Sequence, residues 1–423
     1  MNLTDVKTGP KKLPVVLLYA YLGFIFTNSF TKISVPAFGL LELTFSDLLV
    51  ILCSGVFLLM NSKIDKTLSR YIYSFLIFIL FVGISIIEVK NYFYYITDFV
   101  PYIFGSLIVY STIIVFSNFD KKKLLIKIRF VLLAALSLST LPVYYQLITG
   151  VKLLTYYDRH GWRYTFLAQN PNQYGVTLLL YFIIISLITL KFNKKDLYKL
   201  LFFMAYFIPV VLFTGSKATA LIFGLNLIFI ALVSMIRSSL VTKVIVLPIL
   251  IFLISLKLST VIIKLKQSGG QVNRALSIFE SLEDKGLEGV EVKGASGLSM
   301  DEAIRIFFEN PIFGVGLANK PLHSNIGTEI HNTYLKTLAE AGIIGFFGFS
   351  LIFGLPMIAI VFSRTSLSNM LFFLIFYMLF AALNWPYMLL RQRWVWLFMI
   401  VCFIIARLDD QGKFEKSKLA ILN

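Results

Sequence analysis

The stretch GVTLLLYFIIISLITLKFNKKDLYKLLFFMAYFIPVVLFT, Gly175–Thr214, decides the fold. Two apolar runs flank a short segment carrying Lys191, Lys194, Lys195 and Lys199. A helix needs roughly 20 predominantly apolar residues to cross the hydrocarbon core of a bilayer. A short lysine-rich connection between two such runs reads as a cytoplasmic turn. The same pattern extends outward in both directions and predicts helices near 13–30, 40–60, 71–88, 94–116, 130–148, 173–190, 200–214, 218–236, 244–263, 336–362, 369–387 and 394–408. Composition agrees: of 423 residues, 58% are hydrophobic and 14% charged. Mean hydropathy is +0.83, and a soluble domain needs far more polar surface. The expected fold is an all-α polytopic membrane protein of about 12 transmembrane helices, one transmembrane domain over 1–423.

A net charge of +17 would raise the question of nucleic acid in a soluble protein. Here much of it lies in short loops, where it sets topology, and no nucleic-acid partner is expected. The segments 1–12, 61–70, 117–129, 191–199, 237–243, 363–368 and 409–423 each hold Lys or Arg, the richest being Lys121, Lys122, Lys123, Lys127 and Arg129. With the predicted helices all of them fall on one side, so both termini are expected in the cytoplasm. The excess charge also favours anionic headgroups and anionic lipid-linked substrates. Two long loops then face outward, about 149–172 and about 264–335, the larger between the ninth and tenth helices. Loops of that length do not vote on topology, and in compact proteins they are functional or disordered.

Within the larger loop, Gly269-Gly270 and the stretch from Gly286 to Gly297 read as disordered. Met300 to Phe308 reads as an amphipathic helix with Ala303, Ile304, Phe307 and Phe308 on one face, stopped by Asn310-Pro311. The tenth run opens on a polar turn, so its first part is expected above the bilayer. Cys53 and Cys402 lie inside apolar runs and read as buried thiols. No disulfide framework or Cys/His metal cluster is present in the sequence, so no metal and no cofactor is expected. Lys7, Lys11 and Lys12 precede a first run without a small-residue cleavage site, which reads as a retained helix. No internal repeat suggests an inverted-repeat transporter.

Four polar signals lie in the outward loops or beside them. Arg163 is followed by Gln169-Asn170-Pro171-Asn172 and Gly175. Asn172 suits a helix cap, and a helix start favours anions; simple capping with an interfacial arginine explains the same residues equally well. Gly215-Ser216-Lys217 is a tight outward hairpin whose lysine either snorkels to the headgroups or holds a phosphate as a point charge. In His331-Asn332-Thr333-Tyr334-Leu335-Lys336, the histidine stands at a predicted helix start, where the positive helix end lowers its pKa and leaves an imidazole able to accept a proton. Lys336 and Glu340, at i and i+4, read as a helix-face ion pair. Gly342, Gly345 and Gly348 at three-residue spacing admit a close helix neighbour. The fourth signal, Asn310-Pro311-Ile312-Phe313-Gly314-Val315-Gly316, predicts a sharp, close-packed turn. As a phosphate cradle it is weak, because no Lys-Ser/Thr follows.

These residues together resemble the bacterial O-antigen polymerase and O-antigen ligase superfamily. His331-Asn332, nine residues, then Gly342-Ile343-Ile344-Gly345 resembles the signature histidine block at the end of the large periplasmic loop. Asn310 to Gly316 looks like the segment preceding that block. Gly215-Ser216-Lys217-Ala218-Thr219-Ala220-Leu221 looks like the Ser-Arg-x-x-x-Leu hairpin, with lysine for arginine, which keeps the charge and loses the bidentate fork. Arg163 through Asn172 to Gly175 resembles the first periplasmic motif. The arginine often found near the start of the loop helix is missing at Ser296-Gly297-Leu298-Ser299-Met300, with Arg274 or Arg305 as candidate substitutes. The likeness covers about 155–350.

The resemblance implies glycosyl transfer from an undecaprenyl-diphosphate-linked glycan to a sugar hydroxyl in the bacterial inner membrane, with the active site facing the periplasm and no metal or nucleotide sugar. In that reading His331 is the catalytic base. Arg163, Lys217, Arg274 and Arg305 hold the diphosphate, Asn172, Asn332 and Tyr334 line the substrate site, and an apolar cavity holds the lipid. A chain-length regulator is a candidate protein partner. The length of the outward loop favours a polymerase over a ligase that uses lipid A-core as acceptor. A transporter or flippase would need a translocation path, against which stand the missing repeats and the scarcity of acidic residues in most helices.

Overall fold

The computed structural model describes residues 15–27, 34–37, 41–59, 64–89, 92–151, 171–192, 197–214, 219–230 except 221 and 229, 295–317, 330, 332–362, 395–405 and 408. These are mostly helical, with one short hairpin and the turns that join the helices. The elements are α1 (Val15–Thr27), β1 (Ser34–Ala37), β2 (Leu41–Thr44), α2 (Phe45–Leu59), α3 (Lys66–Ile84, prolonged by a 3-10 turn over Ser85–Glu88), α4 (Tyr92–Asn118), α5 (Lys121–Thr149), α6 (Pro171–Phe192) and α7 (Leu197–Thr214). They continue with α8 (219–220, 222–228 and 230), α9 (Ala295–Glu309) and α10 (Thr333–Phe362), and α11 (Val395–Ile405).

Among the described residues, five helices are long and apolar enough to cross a membrane: Leu68–Glu88, Phe99–Asn118, Lys121–Gln146, Tyr174–Phe192 and Thr333–Ile352. Leu17–Thr27, Ser46–Phe57 and Val395–Ile405 are shorter apolar helices. The runs expected at 244–263 and 369–387, the end of the one at 218–236, and most of both long loops lie outside the described residues.

Among the expected spans, three starts differ most from the sequence expectation. β1 and β2 pair antiparallel, Ser34 opposite Thr44, and push the start of α2 from 40 to Phe45. α3 begins at Lys66 and α5 at Lys121, so the basic cluster Lys121 to Arg129 occupies helical turns and not a loop. Hydropathy locates only the apolar part of a helix, whereas lysine and arginine are good helix formers. Asp120 caps α5 by accepting from the Lys123 N–H at 2.8 Å, and Gly150 closes it at φ 73°.

The basic ends gather at one end of the bundle. Lys121 Nζ lies 2.8 Å from Asp65 Oδ2, and Ser117 Oγ accepts from the Asp65 N–H at 3.0 Å. Lys122 Nζ stands 5.8 Å over the Phe192 ring, and Lys191 Nζ reaches the Ile405 carbonyl at 3.5 Å. The starts of α3 and α5 therefore share an end with the close of α4, α6 and α11.

α6 and α11 form the centre. From Tyr174 to Leu190 and from Val395 to Ile405 every residue is buried. α3 is peripheral, exposing Tyr73, Leu76, Ile77, Leu80 and Ile87, an apolar flank suited to lipid. Within a bilayer, helices associate through close packing and hydrogen bonds. Tyr21 donates to Thr112 at 2.9 Å, Ser54 and Ser111 share a 2.6 Å bond, and Tyr174 donates to the Ser139 carbonyl at 2.8 Å. Trp396 lies edge-on to Phe75 with ring centroids 4.8 Å apart. Its Nε1 would stand 2.7 Å from a Cβ on Gly105 of α4. Cys53 and Cys402 are buried free thiols.

α10 packs on α3 and the two run antiparallel: Phe347 pairs with Phe81 and Phe349 with Phe78, ring centroids 6.3 and 6.5 Å apart, and a Cβ on Gly348 would stand 3.0 Å from Phe78 Cα. The start of α10 thus lies toward the end of α3 remote from the basic ends. A separate small core joins α9 to α10, with Ala303, Ile306, Val315, Ile330 and Ala339 buried against Leu335. The buried face of α9 therefore pairs Ala303 with Ile306. Ile304 and Phe308, expected on that face, are exposed, because adjacent helical residues diverge by about 100° and α10 reaches only one side.

Candidate functional site

The start of α10 is built by Asn332. Its Oδ1 accepts from the Tyr334 and Leu335 N–H groups at 2.9 and 3.2 Å, and its carbonyl accepts from Lys336 N–H at 2.8 Å. This is a capped helix start, with the side chain satisfying donors that the first turn leaves unpaired. On the other side of position 331, Ile330 is 0% exposed. His331 itself lies outside the described residues. Tyr334 packs edge-on to Phe349 with centroids 5.6 Å apart.

One turn further, Lys336 and Glu340 form the expected ion pair, Nζ to Oε1 3.3 Å, but not on a solvated face: their side chains are 9% and 5% exposed. Thr333, Thr337, Ala341, Leu317, Tyr102, Phe78 and Val82 line a small cleft with them, and it offers about 20 Å³ to the centres of water-sized molecules. That suffices for a water and is far too small for a lipid tail. A buried ion pair is stable only when its desolvation is offset by geometry and further hydrogen bonds, and an ionisable pair at this depth marks a candidate functional site. Sequence spacing found the pair and missed its burial. The signal was present in Thr333, Lys336, Thr337 and Glu340, which repeat at helical spacing on one face.

Immediately below the cleft the helix breaks. Gly342 takes φ 61°, ψ −164°, a region open essentially to glycine alone. Carbonyls and amides released by the break are taken up by the turn that follows α9. Val315 N–H donates to Ala339 O at 2.9 Å and Gly316 N–H to Glu340 O at 3.0 Å; Ile343 and Ile344 N–H donate to Pro311 O and Ile312 O at 2.9 and 3.4 Å. Gly314, at φ 69°, and Gly316, at φ 85°, make the turn sharp enough to lie there. The Asn310 to Gly316 segment is thus the expected close-packed turn. Its Gly314, Val315 and Gly316 N–H groups all have protein acceptors, so the weak phosphate-cradle reading loses its donors. Of the three glycines, Gly348 admits the neighbouring helix, whereas Gly342 serves the break.

A second pair of motifs meets at the start of α6. A Cβ on Gly175 would stand 2.9 Å from Thr219 Oγ1 and 3.2 Å from Thr214 Oγ1. The described residues on either side of 215–218, Thr214 and Thr219, therefore close on the first turns of α6. That helix starts at Pro171, whose missing N–H suits a first helical position. Asn172 accordingly stands inside the first turn instead of capping it.

Arg305 is described and committed: it bonds Glu302 at 2.8 Å and Glu309 at 2.5 Å. The Glu302 hydrogen bond, ahead of that from Glu309, pushes its pKa above the usual arginine value. Arg163, Lys217 and Arg274 lie outside the described residues. No family model matches the chain, and no curated protein matches it.

Proposed function

We propose that this chain is a membrane glycosyltransferase that moves glycan from an undecaprenyl-diphosphate-linked donor to a sugar hydroxyl, acting as a surface-polysaccharide polymerase. The observation that carries the reading is the union of its two most specific motif segments. Asn310 to Gly316 is hydrogen-bonded across the break in the block that runs from His331 to Gly345, so segments separated in sequence form one unit beside a capped helix start and a buried ion pair. About twelve spans and cytoplasmic termini put that unit at the periplasmic face of the inner membrane. His331 takes the proton from the acceptor hydroxyl as its oxygen attacks the anomeric carbon. Lys217 and Arg163 hold the departing diphosphate, whose charge calls for cations and helix starts.

The second reading, a ligase to lipid A-core, shares every one of these residues. A strain lacking the gene separates them on a lipopolysaccharide gel. Core carrying a single repeat identifies the polymerase; core alone, with lipid-linked polymer accumulating, identifies the ligase. A normal ladder refutes both, and lipid-linked repeat units trapped at the cytoplasmic face would instead point to transport.

A further inference from the structure

Successive residues of a helix turn by about 100°, which divides α9 into three edges. Ala303 and Ile306 face inward and are buried against Leu335 and Ala339. Asp301, Arg305 and Glu309, at four-residue spacing, form a charged edge tied by the Arg305–Glu309 bond. Ile304 and Phe308, at the same spacing, form an apolar edge that none of the described residues covers: Phe308 is 73% exposed, and Ile312 just beyond the helix is 54% exposed. In a soluble domain the exposed half of a helix would be polar throughout. Here it is split between charge and large apolar side chains.

The apolar edge does not end with α9. The Pro311 and Ile312 carbonyls accept from the Ile343 and Ile344 N–H groups, so Ile312 adjoins the start of the second part of α10. There Ile343 and Phe347, again one turn apart, are also exposed. Phe347 belongs to a helix long and apolar enough to cross the membrane. The uncovered apolar surface is therefore continuous from a membrane-facing helix, through the turn, onto α9.

We propose that the Ile304–Phe308–Ile312 edge is a lipid-docking surface. α9 lies along the bilayer at the end remote from the basic ends, with this edge among the first acyl carbons and its Asp301–Arg305–Glu309 edge in the headgroup water. Helices bound this way sink roughly 5–10 Å into the headgroup–acyl boundary. Docking fixes the height of the turn that fills the Gly342 break, and it holds whether or not the chain transfers glycan.

The test is environmental. Phe308→Cys, Ile304→Cys and Glu309→Cys are each labelled with a thiol-reactive bimane, with wild-type protein, whose Cys53 and Cys402 are buried, as the labelling blank. All are placed in phosphatidylethanolamine–phosphatidylglycerol vesicles. Labels at Phe308→Cys and Ile304→Cys should lose most of their emission to a lipid carrying a nitroxide near the top of its acyl chain and little to aqueous iodide. The Glu309→Cys label should show the reverse. Iodide quenching at Phe308→Cys without nitroxide quenching would place the edge in water, and quenching by neither would mean that protein covers it; both results overturn the proposal.

Discussion

Replacing Gly342 by alanine should cost more than almost any other single methyl group in this protein. The backbone there, φ 61° and ψ −164°, carries a strain of about 1–3 kcal/mol for a residue with a side chain. The new Cβ would also strike the Ile312 carbonyl and come within 2.7 Å of Gly314 N. The turn must then move, and with it the bonds from Val315, Gly316, Ile343 and Ile344, which span 2.9 to 3.4 Å. Leaving even one buried backbone group unpaired adds about 1–3 kcal/mol. The expected total is about 2–6 kcal/mol, at or beyond the upper end of ordinary point substitutions. Thermal unfolding of purified protein in detergent, followed by tryptophan fluorescence, reads it. Gly55→Ala is the control: it lies in α2 with no heavy atom within 4 Å of an added Cβ, so alanine there should be neutral or raise stability by up to about 1 kcal/mol. If Gly342→Ala melts where Gly55→Ala does, the break is not held by glycine, and the account of the turn as its filler is wrong.

Other outcomes follow from the same region. Lys336→Met should destabilise by about 3–5 kcal/mol by leaving Glu340 buried and unpaired; Lys336→Met combined with Glu340→Met should recover much of that loss, and additive single effects in a double-mutant cycle would show that the pair is not coupled. Asn332→Ala removes the cap on two N–H groups and should cost about 0.5–2 kcal/mol, with Asn332→Asp retaining most of the stability; equal melting of all three proteins would discount the cap. Under the proposed function, His331→Ala should slow turnover on lipid-linked donor by roughly 100- to 10,000-fold at unchanged expression, and near wild-type turnover would remove the base from the mechanism. Lys217→Ala should weaken the hold on the diphosphate by about 1.5–3 kcal/mol while Lys217→Arg keeps much of it; indistinguishable kinetics would leave Lys217 as an interfacial anchor.

The helices that the structure describes were legible because a bilayer leaves the backbone few alternatives. Their starts were less so. Lys66 and Lys121 continue helices into water, where hydropathy no longer marks them. Which helices stand at the centre could not be read at all: α3 and α6 are both apolar all round, since lipid-facing and bundle-facing surfaces ask for the same side chains. The site shows a similar division. Local rules found the turn at Gly314 and Gly316 and the Lys336–Glu340 spacing. They could not show that the turn fills the Gly342 break, that the ion pair is buried, or that α9 buries Ile306 and not Ile304. Each of those depends on a partner distant in sequence.

The central position of α11 bears on the order in which the protein can be made. Trp396 enters a slot that Gly105 of α4 leaves open, and Phe403 stacks on Tyr71 of α3 with ring centroids 5.1 Å apart. Both partners leave the ribosome long before the helix that completes them. Until α11 is inserted, Gly105 of α4 and Tyr71 of α3 lack these ring partners. A late segment thus closes an early framework, and the centre of the bundle is the last part the chain can complete.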